Sequence, residues 1–275
     1  MNKSWFDLSG KVALVTGAGA NGGVGHALSL GFAQHGADVL AADIDEAGAR
    51  VTAGEVQSLG RKCVAVTCDI SNPDDVASLF TRLDEHFGRI DILANVPYAF
   101  PSRVHPHELA LEAWHKTLAV SLTGYLLCSQ QAIRRMLQQG SGGCILNIGS
   151  IAGASGLGRG NMPYSVAKAG VNQLTKELAV EYAGQGIRVN AILPCTILTP
   201  GLKKELFSDP RFGEKLRQRL MVGIPQQRFL EPEDLAGPAV FLCSDAARSV
   251  TGVLLPVDGG NLALNAGGSH TWPTE

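Results

Sequence analysis

Short apolar runs alternate with longer amphipathic stretches along almost the whole chain. The runs at 11–16 (KVALVT), 38–43 (DVLAAD), 64–67 and 90–95 are short, β-branched and bounded by turn residues, the mark of strands buried on both faces. Cys144, Ile145, Leu146 and Ile148 form a fifth run, and 187–193 and 253–258 give two more. Between them lie stretches with helical spacing. The segment 24–35 carries Ala27, Leu28, Leu30 and Phe32, and 74–87 follows the third run. A long helix is predicted over 114–136, with Leu118, Leu122, Leu126, Ile133 and Leu137 on its apolar face. Another carries Tyr164 and Lys168 in its first turns and continues to Tyr182 through Val171, Leu174 and Leu178, and Pro232 opens one reaching about Ser244. Strands alternating with helices mean repeated βαβ units, a parallel sheet and an α/β fold.

No repeat or linker interrupts the pattern, so the chain reads as one domain over 1–275. The stretch from Pro194 to about Arg228 breaks the alternation and carries Leu202, Leu206, Phe207, Phe212 and Leu216; its part at about 199–228 reads as a substrate lid with short helices. The tail beyond Leu262 shows little periodicity.

Composition narrows the class. Of 275 residues, 45% are hydrophobic and 17% charged, the balance of a globular chain. A net charge of −2 gives no electrostatic reason to expect nucleic acid. No apolar run is long enough to span a membrane, and the N-terminal residues have no signal-peptide core. The 6 cysteines lack metal spacing and sit mostly in apolar segments, so reduced thiols and a cytoplasmic location are expected. His105, His107 and His115 have no acidic or Cys partner at ligand spacing; no metal site is expected.

Chemistry gathers at strand ends. The first strand runs into a glycine cluster, Gly17 to Gly25, that opens a helix, the arrangement that lets backbone N–H groups approach a pyrophosphate. Asp43 ends the second strand, where an acid accepts hydrogen bonds from a ribose and repels a 2′-phosphate; no Arg or Lys sits directly beside it, which points to NAD rather than NADP. Asp69 either contacts an adenine or caps the following helix. Ser150 leaves the fifth strand, and Tyr164 and Lys168 share a helix face one turn apart. A hydroxyl, a phenol and an amine at one strand end suggest proton transfer.

With Gly17, Gly23-Val-Gly25, Asp43, Asp69, Asn147-Ile-Gly-Ser150 and Tyr164-Ser-Val-Ala-Lys168 in place, the chain resembles the short-chain dehydrogenase/reductase family from about residue 8 to 261. Arg188-Val-Asn190, Thr199 and Val257-Asp-Gly-Gly260 match as well. The resemblance implies a Rossmann-type doubly wound seven-stranded parallel sheet with helices on both faces, and usually a homotetramer. It implies an NAD(H)-dependent oxidoreductase interconverting a secondary alcohol and a ketone, with Tyr164 as general acid/base, Lys168 lowering its pKa and Ser150 holding the substrate oxygen. Cofactor contacts fall to Gly17, Asn21, Gly23, Val24 and Gly25 in the pyrophosphate loop, Asp43 and Ile44 at the ribose, and Asp69 and Ile70 at the adenine. Asn95, Val96 and Pro194 line the same path, Lys168 binds the nicotinamide ribose beside Tyr164, and Ile197 and Thr199 hold the carboxamide.

Three departures stand out. The glycine loop is longer than the family's common form, with Ala20-Asn21 inserted before Gly22. Asn95-Val-Pro-Tyr98 stands where the family has Asn-Asn-Ala-Gly, and Ser121 where a helical Asn completes the proton relay to Lys168. Tyr98, Ile151, Met162 and Leu202 are the substrate-pocket candidates, with Pro97, Leu157 and Phe207 beside them; Lys203, Lys204, Arg211 and Arg217 could draw an anion but more readily face water. A 3-oxoacyl reductase and a non-catalytic dinucleotide-binding regulator are the alternatives; Asp43 opposes NADPH, and the intact Ser150, Tyr164 and Lys168 oppose the regulator.

Overall fold

The computed structural model describes residues 4–19, 21–100, 103–208 and 210–264. Ala20 of the glycine loop, Pro101, the side chains of Arg211 and Phe212, and the tail beyond 264 lie outside the described residues.

Among the described residues, seven parallel strands form one sheet in the order β3-β2-β1-β4-β5-β6-β7. The strands are β1 (Val12–Thr16), β2 (Asp38–Asp43), β3 (Cys63–Thr67), β4 (Ile92–Asn95), β5 (Gly143–Ile148), β6 (Ile187–Pro194) and β7 (Leu254–Val257). Each falls within one residue or two of its predicted run. All five β1 residues are buried, since both faces are covered. Ala13 and Val15 face one core with α1 (Val24–Gln34), α2 (Glu46–Ser58) and α9 (Ala236–Cys243); Leu28, Phe32, Val56 and Val240 fill it. Val12 and Leu14 face the other, against α3 (Pro73–Phe87), α5 (Gly124–Gln139) and α6 (Met162–Tyr182), packed by Phe80, Tyr125, Met136 and Val171. The doubly wound fold inferred from the family pattern is the observed one.

The strand order reverses between β1 and β4, which pair in register at Val15 and Ala94. At such a reversal the following connections diverge to opposite faces and leave a crevice at the carboxyl ends of the strands. Every chemically suggestive loop starts there.

Two elements differ from expectation. The helix predicted over 114–136 is broken: α4 (Leu111–Leu118) and α5 are joined by a π-helical turn, Ala119–Thr123. The extra residue in that turn holds Ser121 fully buried, its hydroxyl accepting from the Ala99 backbone N–H at 3.0 Å. Helix α2 escaped the sequence pattern. The irregular stretch after β6 contains α7 (Pro200–Ser208) and α8 (Pro210–Met221), whose Leu206 and Leu216 pack with Ile224 and Phe229 into a small core of their own.

Candidate active site

The crevice opens into a cavity of about 1150 Å³ that reaches from the end of β2 to the end of β6. Its floor at β1 is the glycine turn. Gly17 holds φ +73°, and a Cβ on Gly25 would stand 2.1 Å from the Gly17 carbonyl oxygen. Helix α1 therefore begins flush against the strand end. Its N-cap, Gly23, offers no side chain to the first-turn N–H groups, so those donors face the cavity. Thr16 ties this turn to β4, donating to the Ala94 carbonyl at 3.2 Å and accepting from Val96 N–H at 3.4 Å.

The longer glycine loop folds onto β2. Gly19 N–H donates to one Asp43 oxygen at 2.7 Å, and Asp45 N–H donates to the other at 2.9 Å. A Cβ on Gly19 would reach within 2.7 Å of the Asp43 carboxyl carbon. Gly17, Gly23, Val24, Gly25, Asp43, Ile44, Asp69 and Ile70 line the cavity. Asn21 does not; it is exposed on the outer side of the loop. Asp69 lines the cavity and accepts from Ser71 N–H at 2.9 Å in the turn before α3, but the cap of that helix is Asn72, whose side chain accepts from Asp74 N–H at 2.9 Å.

Asn95 is a correction. It lies fully buried behind the crevice rather than on its wall, donating to Asn147 at 2.9 Å and Ser129 at 3.3 Å, while Asn147 donates to Thr175 at 3.0 Å. The Asn95 Nδ2 thus has two acceptors, while its buried Oδ1 has no partner among the described residues. The chain of amides and hydroxyls fastens β4 to β5, and the next residue, Val96, is the one on the wall.

Ser150, Tyr164 and Lys168 come together. Beyond β5, Gly149 packs so tightly under Leu193 that a Cβ would stand 2.5 Å from that side chain. Ser150 then emerges extended, and its hydroxyl accepts from Ala152 N–H at 3.1 Å to cap a short turn. That turn rests on α6: a Cβ at Gly153 would meet the Lys168 carbonyl carbon at 2.5 Å. Helix α6 starts with Pro163 in its first turn, which presets its direction, and it brings Tyr164 and Lys168 to the end of β5, with Tyr164 facing Ser150. The Lys168 ammonium donates to the Ile148 carbonyl at 2.6 Å and to the Tyr125 hydroxyl at 3.1 Å, and stands 5.8 Å from the Tyr164 ring centre. Tyr125 is thus the polar group directly beside Lys168. Ser121, expected there, does not line the cavity and spends its oxygen on Ala99.

Burial dominates the electrostatics. It pulls Lys168 down to about 7 and pushes Tyr164 up to about 12, with the facing Ser150 hydroxyl opposing the latter rise. The expected lowering of Tyr164 by Lys168 is not seen, because the ammonium is buried and turned to Ile148 and Tyr125. The Lys168 shift has a stability consequence. Between pH 10.5 and about 7 the unfolded chain takes up a proton that the folded chain refuses, so folding loses stability as pH falls and gains it as pH rises. Urea unfolding of the wild type should therefore strengthen relative to Lys168→Met from pH 7 to 10, by at most about 1.4 kcal/mol per pH unit. A difference that stays flat would mean that Ile148 and Tyr125 hold the ammonium charged.

The upper walls are apolar. Phe100 stacks on Tyr164 with ring centres 4.3 Å apart, and Tyr98 meets both rings edge-on. Ile151, Leu157 and Leu202 complete this wall, and Pro194, Ile197 and Thr199 line the β6 end. Met162 is absent from the lining, because its place in the first turn of α6 turns it aside, and Phe207 is 77% exposed on α7. Sequence reasoning missed Phe100, Arg103, Lys116, Arg159 and Asn161, all on the wall. The alternation Tyr98-Ala-Phe100 was the one local sign; the cations carried none.

A family model described as enoyl-(acyl carrier protein) reductase matches residues 17–261. Among curated proteins, the cis-4-hydroxycyclohexanecarboxylate dehydrogenase of Sinomonas cyclohexanicum is 41% identical over 255 residues, 92% of this chain and 97% of that one. The D-threitol dehydrogenase of Mycolicibacterium smegmatis is 39% identical over 256 residues, 93% of this chain and 94% of that one. Among solved structures, a candidate 2-deoxy-D-gluconate 3-dehydrogenase from Agrobacterium tumefaciens with bound NADP superposes with a TM-score of 0.83 at 34% identity, covering 95% of this chain and 100% of that one. Sequence, sheet order and site geometry agree: the chain belongs to the short-chain dehydrogenase/reductase family of nicotinamide-dinucleotide oxidoreductases.

Proposed function

We propose that this protein is an NAD(H)-dependent dehydrogenase interconverting a secondary alcohol and a ketone, with Tyr164 as the proton-transferring group. The observation that carries the reading is one cavity holding Ser150, Tyr164 and Lys168 at one end and the glycine turn with Asp43 at the other. A dinucleotide fits on this structure's own terms. The close approach of Gly25 to Gly17 leaves no room for a side chain, and the uncapped N-terminus of α1 offers donors and a positive field to a pyrophosphate. The residues that would hold it are Gly17 and Gly23 to Gly25 at the pyrophosphate, Asp43 at the adenosine ribose, Asp69 at the adenine, and Lys168 at the nicotinamide ribose. Pro194, Ile197 and Thr199 would receive the nicotinamide. Bound there, the nicotinamide supplies or accepts the hydride and, when oxidised, adds positive charge beside Tyr164.

The chain's own residues handle the proton. Tyr164 gives its phenolic proton to a ketone oxygen as that oxygen becomes an alcohol, or removes it in the reverse direction. Ser150 donates to the same oxygen and holds it in line. Lys168, held by the Ile148 carbonyl and Tyr125, is the group beside the phenol that would bind the nicotinamide ribose. The rings of Phe100 and Tyr98, themselves partly exposed, cover the phenol ring from one side. Helices α7 and α8, which place Leu202 and Leu220 on the cavity, act as the substrate lid. A homotetramer is part of the same reading, supported by the exposed apolar residues Leu137, Val166 and Val180 on α5 and α6.

NAD rather than NADP follows from Asp43, whose carboxylate lines the adenosine end beside Ile44 and Asp69 with no cation among the cavity residues there. Asp43→Ala should weaken NADH binding roughly tenfold and shift the NADPH-to-NADH affinity ratio at least about tenfold toward NADPH, each factor being about 1.4 kcal/mol. Fluorescence titration of both dinucleotides measures it. An unchanged ratio would take Asp43 off the ribose.

A further inference from the structure

We infer that Tyr125 is a positioning residue for the dinucleotide: its hydroxyl holds the Lys168 ammonium where it meets the nicotinamide ribose, which rests on the proposed placement of that ribose at Lys168. Three groups close a ring at the end of β5. Lys168 Nζ donates to the Ile148 carbonyl at 2.6 Å and to the Tyr125 hydroxyl at 3.1 Å, and that hydroxyl donates in turn to the same carbonyl at 3.3 Å. The phenol thus gives its proton to the backbone and offers a lone pair to the ammonium. Lys168 is only 1% exposed, yet it lines the cavity. An ammonium has three donors, and two of them are taken among the described residues. The third is left for what the cavity binds.

The hydroxyl is not needed for packing. Tyr125 is fully buried in the core that also holds Phe80, Met136 and Val171, where a phenylalanine would fill the same space without burying a polar oxygen. Its placement comes from the backbone. Tyr125 is the second residue of α5, directly after the π-helical turn Ala119–Thr123. The extra residue in that turn rotates the sequence that follows by about 100° around the axis, and the side chain at 125 is the one that then reaches Ile148 and Lys168. Gly124 lets α5 start hard against Ile70, where a Cβ would stand 2.8 Å from that side chain. The helix is thereby held close to the strand ends.

A lysine stem is flexible, so the place of its nitrogen is set by what holds the nitrogen. With Ile148 alone, Nζ could swing about one carbonyl oxygen; the Tyr125 hydroxyl is the second anchor that fixes it. Burial also pulls the ammonium toward losing its proton, and an oxygen that accepts from it opposes that loss. Ser121 does neither, since it accepts from Ala99 N–H and stands off the cavity. Lys168 Nζ lies 4.8 Å from the Tyr125 ring centre as well, a contact that a phenylalanine would keep. Tyr125→Phe therefore removes the oxygen alone.

The test titrates the protein with NADH, ADP-ribose and ADP by calorimetry, in the wild type, Tyr125→Phe, Lys168→Met and the double variant. ADP-ribose carries the second ribose that Lys168 would meet, and ADP lacks it. Tyr125→Phe should weaken NADH and ADP-ribose by about tenfold while ADP stays within about twofold. In the Lys168→Met background, removing the hydroxyl should change NADH affinity by less than about twofold, because no ammonium is left to hold. Tyr182→Phe, at the far end of α6, should leave all three affinities unchanged. Unchanged NADH affinity in Tyr125→Phe overturns the inference. So does an equal loss for ADP, which would mark a general loosening, and so does a full loss in the Lys168→Met background, which would mean that the hydroxyl acts through another group. The two readings separate: a wild type that binds ADP-ribose no better than ADP sinks the ribose placement at Lys168 and the inference with it, whereas a ribose-dependent gain that Tyr125→Phe leaves intact sinks the role of Tyr125 alone.

Discussion

Tyr164→Phe should lower kcat for alcohol oxidation and ketone reduction by about 10²–10⁴-fold while leaving NADH affinity within about threefold. The ring itself is held by stacking on Phe100 at 4.3 Å and by its place on α6, neither of which needs the hydroxyl. Removing the oxygen therefore deletes the proton donor and keeps the shape. The size of the loss follows from the site's remaining options. Lys168 is turned to the Ile148 carbonyl and Tyr125, and the Ser150 hydroxyl can hydrogen-bond the oxygen but is a far weaker acid than a phenol, so no second group is poised to give up a proton at that point. Single-turnover absorbance of NADH at saturating substrate measures the chemical step directly. A variant that keeps more than about a tenth of the wild-type rate would move the proton transfer to another residue.

Gly25→Ala should be the most damaging small substitution in the cofactor half. The added methyl would stand 2.1 Å from the Gly17 oxygen and 2.6 Å from its carbonyl carbon, and both are backbone atoms that cannot swing aside. Relief requires α1 to lift from the strand end, which removes the donors facing the cavity and unpacks Leu28 and Phe32 from the core beneath. An overpacked site of this kind costs about 1–3 kcal/mol of stability. NADH affinity should fall by at least about 100-fold, equivalent to roughly 2.7 kcal/mol, and the melting temperature by roughly 5 °C. Calorimetric titration with scanning calorimetry on the same sample separates the two effects. Native NADH affinity in this variant would place the pyrophosphate elsewhere.

The legible part of this molecule is the part written in local pattern. Strands buried on both faces announce themselves as apolar runs, and the motifs at their ends sit where the pattern puts them, because parallel strands must all finish at one edge. Helix α2 was not legible. Its buried face is Gly48, Ala49, Thr52, Ala53 and Val56, small residues whose hydrophobic contrast with the outer face is slight. The π-helical turn at Ser121 was hidden for a different reason. A 3.6-residue reading has no place for an inserted residue, and the bond the turn makes, from Ala99 N–H to Ser121, reaches a partner distant in sequence. Asn95 misled because an amide at a strand end looks the same whether it faces a ligand or, as here, another strand's amide. Arg159 and Arg103 reach the cavity wall on two loops far apart in sequence, which only the fold brings together.

The bond from Gly19 to Asp43 has a consequence for how such a protein changes over time. The residue expected to choose between dinucleotides is also the peg on which the lengthened loop hangs, through two backbone donors. Any replacement of Asp43 that admits a 2′-phosphate also loosens the loop, so a single step relaxes the choice without tightening the new partner. A full exchange needs the loop and the peg to be replaced together. Drift toward the other cofactor is thereby steered through a weakly binding intermediate, and a lineage with this loop should keep its acid or lose both.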